Sequence, residues 1–222
     1  NQYTDEEYEL LFEQTGLGRC AIDAIEDKNE LILYQENYFE PIEYNCEMVT
    51  PVSFGERVTK GNVKFAPIEN GDVFISLNAH VLTWRCGHAG IVVDAKEGTT
   101  LEAVVIGQNT KMQNVSKWKR YPSFIILRLK NADKEEREKI AKSAIENLND
   151  KPYRTLIGVY PSKYCMISEI KGTQCAHLVW MAYAANGYDI DSNKGLVVIP
   201  RDIMNSELLE IVQVYGVKAK LR

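Results

Sequence analysis

No apolar run in this chain of 222 residues approaches the ~20 residues of a membrane-spanning helix. There is no C-x-x-C pair, no H-E-x-x-H helix and no glycine-rich phosphate cradle, so metal and nucleotide chemistry have no support and no cofactor is called for. The net charge is −5 with acidic and basic residues interleaved, which lacks the one-sided basic face that nucleic acid demands. Lys111, Lys117, Lys119 and Arg120 are locally basic but read as a solvated loop around Trp118. Internal repeats and low-complexity linkers are absent. Histidine is scarce, with three in the chain, so the choice of a general base is narrow.

An apolar content of 45% over this length suits one domain with an appendage and a full core. The five cysteines (20, 46, 86, 165 and 175) are an odd number, and with Cys175 left free the other four allow three pairings. Disulfides would match an oxidising compartment, and reduced thiols the cytosol. The sequence starts at Asn1 without an initiator Met, the pattern expected where an N-terminal signal or anchor has been removed.

The segment Gly172-Thr-Gln-Cys175-Ala-His-Leu-Val-Trp180 reads as a cysteine at the start of a helix. Thr173 is the expected N-cap. Leu178, Val179, Ala182 and Ala185 form the apolar stripe, and Gly187 supplies the stop. A thiol in a first helical turn feels the positive end of the helix dipole and ionises more readily. The plainer alternative is a small buried Cys that fills packing space.

In Gly87-His88-Ala-Gly-Ile-Val-Val-Asp94 a histidine stands at the mouth of a short apolar run that reads as a buried strand. The small residues beside it leave room for another chain or a substrate. His177, two residues past Cys175, points to nearly the opposite side of the helix. His80 lies in a loop before Trp84 and is the reserve candidate. The plainer alternative for each is a structural histidine bonded to backbone.

Along the chain, Thr4-Asp-Glu-Glu7 and Asp133-Lys-Glu-Glu136 are capping boxes that open helices. Ala21, Ile22 and Ile25 suggest a second short helix. Strands are expected at 72–77, 89–93, 101–105, 124–129 and 195–199, with Pro200 opening a helical turn and 209–215 closing the fold. The order indicates an α+β class, a mainly antiparallel sheet or small barrel packed on helices. Residues 1–60 read as an N-terminal helical extension, bracing rather than inhibitory, and 61–222 as the catalytic domain.

Together, "GDVFIS…WRCGHAGIVVD…TLEAV…KPY…TQCAHLVWMAY" resembles the circularly permuted papain-like branch of the NlpC cysteine hydrolase superfamily, the YiiX/YaeF-like proteins. The resemblance runs from about Gly71 to the C-terminus. It implies a Cys175 thiolate nucleophile, His88 as general base and a third polar residue that orients the imidazole. Glu102 matches that third position. The Gly98 loop suits a hairpin that would set Glu102 in the strand beside His88, against the alternative of an exposed strand Glu paired with a Lys. Tyr153 falls where relatives place a tyrosine near the nucleophile, suited to holding an oxyanion. Here, however, residues 154–174 make a long link that reads as a lid or substrate wall.

The implied activity is hydrolysis of an amide bond in cell-wall-type peptides or another acylated small molecule. The expected molecule is a bacterial, secreted or envelope monomer without a membrane span. The rival functions are lipid acyl transfer of the lecithin-retinol acyltransferase kind and a catalytically silent binding module.

Overall fold

A computed structural model describes residues 2–35, 63–77, 87–155, 162–217 and 219–221. Among these, strands β1 (Val73–Ser76), β2 (His88–Asp94), β3 (Thr99–Glu102), β4 (Lys111–Asn114), β5 (Phe124–Leu129) and β6 (Leu209–Tyr215) form one open antiparallel sheet. Its order is β4-β3-β2-β1-β5-β6, so the expected α+β class holds as an open sheet and not as a barrel. Helices are α1 (Asp5–Thr15), α2 (Arg19–Ala24), α3 (Leu31–Gln35), α4 (Lys134–Leu148), α5 (Cys175–Ala184) and α6 (Pro200–Met204). None is long and apolar enough to cross a membrane.

The central strands are buried on both faces, and each face has its own covering layer. Alternation sends Val73, Ile75, Ile91 and Ile125 to one side, against Ile140 and Ala144 of α4 and Ala176 and Val179 of α5. Phe74, Val92, Phe124 and Ile126 go to the other, against Tyr8, Ile22 and Tyr34 of α1 to α3. Each fully buried side chain of this size contributes about 1.5–3 kcal/mol. Both capping boxes form as the sequence predicts, at Thr4–Glu7 and Asp133–Glu136, and α1 ends at Gly16 in the left-handed conformation that glycine tolerates (φ 71°).

A buried charge cluster fastens the sheet to the segment that precedes it. Arg128 on β5 grips Asp72 through two bonds, Nε to Oδ1 at 2.8 Å and Nη2 to Oδ2 at 2.7 Å. It also reaches Glu69 and the Pro67 carbonyl. The Tyr183 hydroxyl on α5 donates to the Gly71 carbonyl at 2.6 Å, which ties the same turn to the cysteine helix.

Three expectations change. The basic stretch is not a solvated loop: Lys111–Asn114 is the edge strand β4, and Val115–Arg120 is a 3-10 turn with Trp118 fully buried. Residues 195–199 form no strand, and the Gly195 and Val198 carbonyls accept from the Lys163 and Gln174 side chains. The strand expected over 101–105 is Thr99–Glu102, followed by exposed Val104, Val105 and Ile106. Cys20 and Cys165 carry free thiols, so neither is bridged. His80, Trp84, Cys46 and Cys86 lie outside the described residues, as does much of the 1–60 segment.

Candidate active site

His88 opens β2 directly after Gly87, whose φ of +80° favours glycine. A side chain at Gly87 would also meet the Ser76 carbonyl at 2.7 Å, because β1 and Pro200 close tightly around this corner. The antiparallel pairing of Ser76 with His88 sets the histidine at the end of the sheet. β3 returns through the Gly98 turn and pairs Leu101 with Ile91, which brings Glu102 alongside Gly90 and within reach of the imidazole.

His88 Nε2 donates to Glu102 Oε2 at 2.6 Å in a site where the histidine is 5% exposed and the carboxylate 0%. Glu102 Oε1 accepts from Thr100 Oγ1 at 2.6 Å and from Trp118 Nε1 at 3.1 Å. Lys117 forms an ion pair with Glu102 Oε2. The Trp118 ring stacks on the imidazole, with centroids 5.3 Å apart and planes 16° from parallel. These contacts hold the ring and leave Nδ1 as its other nitrogen.

Cys175 lies close enough to His88 to act on the protonation of its imidazole. Cys175 comes from α5, which covers one face of the sheet, whereas His88 is carried by the sheet itself as the first residue of β2, with Trp118 stacked on its ring. Burial disfavours an imidazolium here, but the bonds to Cys175 and Glu102 outweigh it and push His88 up to about 9. Burial would likewise raise Glu102, yet His88 and Lys117 hold its carboxyl down at about 2. The carboxylate is therefore ionised throughout the neutral range.

The start of α5 differs from expectation in its cap. Gln174, not Thr173, is the N-cap, accepting from the Ala176 amide at 2.8 Å while its Nε2 donates to the Val198 carbonyl at 3.0 Å. Thr173 is engaged elsewhere: His177 Nε2 donates to the Lys163 carbonyl at 3.3 Å, so its Nδ1 accepts from Thr173 Oγ1 at 3.0 Å. Burial pulls His177 down to about 4, a neutral structural histidine.

Tyr153 runs beside the cysteine loop despite the long sequence between them. It forms a parallel bridge to Thr173, with the Thr173 amide bonded to the Pro152 carbonyl at 3.0 Å. Gly172 permits this approach, since a Cβ there would meet Arg154 Cδ at 2.7 Å. The link thus leaves and returns to the same place. Its part from Ser162 onward is pinned by Lys163, whose buried Nζ donates to Asp191 Oδ2 at 2.5 Å and to the Gly195 carbonyl at 2.8 Å.

Residue-level reasoning missed Thr100, Lys117 and Trp118. The signal was available in part: an edge strand is often rich in lysine, and a lone Trp in a basic run is a candidate for burial of its ring.

No protein-family model matches this chain, and no match is found among curated proteins. Among solved structures, the chain is similar in fold to the crystal structure of the metalloprotein YiiX from Escherichia coli O157:H7. The TM-score is 0.51 at 16% identity, covering 69% of this chain and 98% of that one. Among the described residues here, no group of three or more His, Cys, Asp or Glu side chains is arranged to hold a metal ion. The shared feature is an α+β fold of the YiiX kind.

Proposed function

We propose that this chain is a cysteine hydrolase of the permuted papain-like, NlpC-related type, cleaving an amide bond in a cell-wall-type peptide. The observation that carries the reading is the buried His88–Glu102 pair, with Nε2 committed to the carboxylate at 2.6 Å and the equally buried Cys175 acting on the same imidazole. In this reading His88 Nδ1 takes the thiol proton and the sulfur attacks the substrate carbonyl carbon. The C–N bond then breaks as the imidazolium returns its proton to the departing amine. Water, deprotonated by His88, hydrolyses the thioester and restores the thiol.

The Cys175 backbone amide, in the first turn of α5 where no intrahelical acceptor exists, is one oxyanion donor, and the Tyr153 hydroxyl is the proposed second. Backbone pairing of Tyr153 with Thr173 supports that role. Residues 61–222 are then the catalytic unit. The packing of α1 to α3 on the sheet supports a bracing role for the 1–60 segment. Secretion or an envelope location belongs to the same proposal.

The test is incubation with a cell-wall peptide library and mass detection of an acyl adduct on Cys175. Turnover should vanish in Cys175→Ala and fall about 10²–10⁴-fold in His88→Ala, with a smaller loss in Glu102→Gln. Unchanged turnover in Cys175→Ala would reassign the nucleophile.

A second reading, acyl transfer from a lipid, is favoured by one observation. Val104, Val105 and Ile106, which follow Glu102 after the buried Ala103, are 39–54% exposed, and Leu196 and Val197 precede the carbonyl that Gln174 holds. An adduct carrying a fatty acyl mass would select it.

A further inference from the structure

The Glu102 carboxylate has more partners than an orienting group for one histidine needs. Oε1 is saturated by Thr100 and Trp118, while Oε2 is shared between His88 Nε2 and Lys117 Nζ. Lys117 comes from the 3-10 turn Val115–Arg120, with its side chain 21% exposed, and it spans from the rim to a carboxylate with no exposure at all. Trp118, the next residue, covers the imidazole. One turn therefore delivers both the lid on the base and a second cation for its carboxylate.

We propose that Lys117 is a fourth member of the site, a positioning residue that keeps Glu102 ionised whichever proton state His88 holds and so limits the basicity of the imidazole. This rests on the reading of Cys175 and His88 as nucleophile and base.

The charge count explains why a buried triad benefits. With thiol and imidazole neutral, the carboxylate alone would leave a net −1 in a water-poor site, and such a charge is costly unless paired. With Lys117 the cluster sums to zero. After the proton moves from Cys175 to His88, the four charges alternate as thiolate, imidazolium, carboxylate and ammonium, again summing to zero. Proton transfer thus proceeds in either direction without exposing an uncompensated carboxylate. The ammonium also repels an imidazolium bonded to the same oxygen, which eases return of the proton to a leaving amine. The groups facing the imidazole are Cys175 from α5, Glu102 from β3, and Lys117, Trp118 and Tyr121 in or just after the 3-10 turn. Of the cations with a bond to this cluster among the described residues, Lys117 is the one held by Glu102.

The experiment is an NMR titration of ¹⁵N-imidazole-labelled protein, following His88 in wild type, Lys117→Met and Lys117→Arg. Loss of the cation should raise the His88 midpoint by about one pH unit or more. Lys117→Arg should restore it to near the wild-type position, a rescue that a merely space-filling side chain would not show. A folded Lys117→Met protein with an unmoved midpoint overturns the inference, and so does an Arg variant shifted as far as the Met variant. Should Lys117→Met fail to fold, the Glu102 carboxyl ¹³C shift in wild type decides. It should stay at the ionised position while His88 loses its proton, and proton uptake by Glu102 in that range counts against the role. The titration reads the imidazole, not turnover. A chain without hydrolase activity leaves it valid, and an unmoved midpoint in an active hydrolase sinks the Lys117 role alone.

Discussion

Gly90 lies against the Glu102 side chain so closely that a Cβ built on it would fall 2.8 Å from Glu102 Cγ and 3.1 Å from both its carboxyl carbon and Trp118 Cζ2. The small residues beside His88 do leave room for another chain, and what fills the room is the protein's own carboxylate and indole. Gly90 is not in the left-handed region, so alanine fits its backbone and the substitution probes contact alone. Gly90→Ala should push Glu102 and Trp118 off His88, costing about 1–3 kcal/mol in thermal or denaturant unfolding. Activity should fall further than that destabilisation explains. Full activity with wild-type stability would mean that the carboxylate has slack that the packing does not reveal.

Thiol labelling separates chemistry from accessibility. Cys175 is only 6% exposed and Cys165 is more open, so exposure alone would have iodoacetamide modify Cys165 first. Yet burial raises Cys165, and burial with the nearby Glu210 pushes Cys20 up to about 12, which leaves both as thiols near neutral pH. Cys175 has a histidine within reach to take its proton. Peptide mapping after brief exposure at pH 7 should find Cys175 modified ahead of Cys20 and Cys165, and His88→Ala should erase that lead. Equal slow labelling of the three would contradict the proposed pairing.

The legible parts were those in which local signals agree. Thr4–Glu7 and Asp133–Glu136 satisfy their own helix ends, so a four-residue pattern suffices to find them. The β2–β3 hairpin was readable because a Gly98 turn with φ +63° joins two apolar runs, but its register, which brings Glu102 beside His88, was not, and Glu102 was singled out by the family resemblance. The alternative of a strand Glu paired with a Lys was half right: Lys117 does pair with it, but inside the protein.

What stayed hidden depends on partners distant in sequence. Lys-Met-Gln-Asn at 111–114 has no apolar alternation because β4 is an edge strand with mostly exposed side chains, so nothing in its periodicity marks it. Without β4 in place, the turn that carries Lys117 and Trp118 to Glu102 has no anchor. The helix cap was misread for a related reason. Thr173 and Gln174 both offer an oxygen, and the choice is settled by His177 claiming the threonine and Val198 claiming the glutamine amide. The 195–199 run is apolar enough for a strand, but it serves the cysteine loop and Lys163 instead.

Stability should be strongly pH-dependent around the histidines, with opposite signs. His88 rises from 6.5 to about 9 on folding, so its stabilisation is complete below about pH 6.5 and is lost as pH climbs through 9. His177 falls from 6.5 to about 4, so the folded protein resists its protonation and loses stability as pH drops from 6.5 toward 4. Glu102 falls from 4.5 to about 2, so its contribution is whole above pH 4.5 and disappears as pH falls through 2. For these three groups the sum peaks near pH 6.5. The measurement is thermal unfolding from pH 4 to 9 for wild type, His88→Gln and His177→Asn. His88→Gln should flatten the decline above pH 6.5 and, by removing a partner that holds the Glu102 carboxyl down, alter the acid side through Glu102, whereas His177→Asn should flatten the acid side alone. A wild-type alkaline decline that survives in His88→Gln would show that the imidazole does not gain its charge from Glu102 and Cys175, and with that the electrostatic basis of the site would fall.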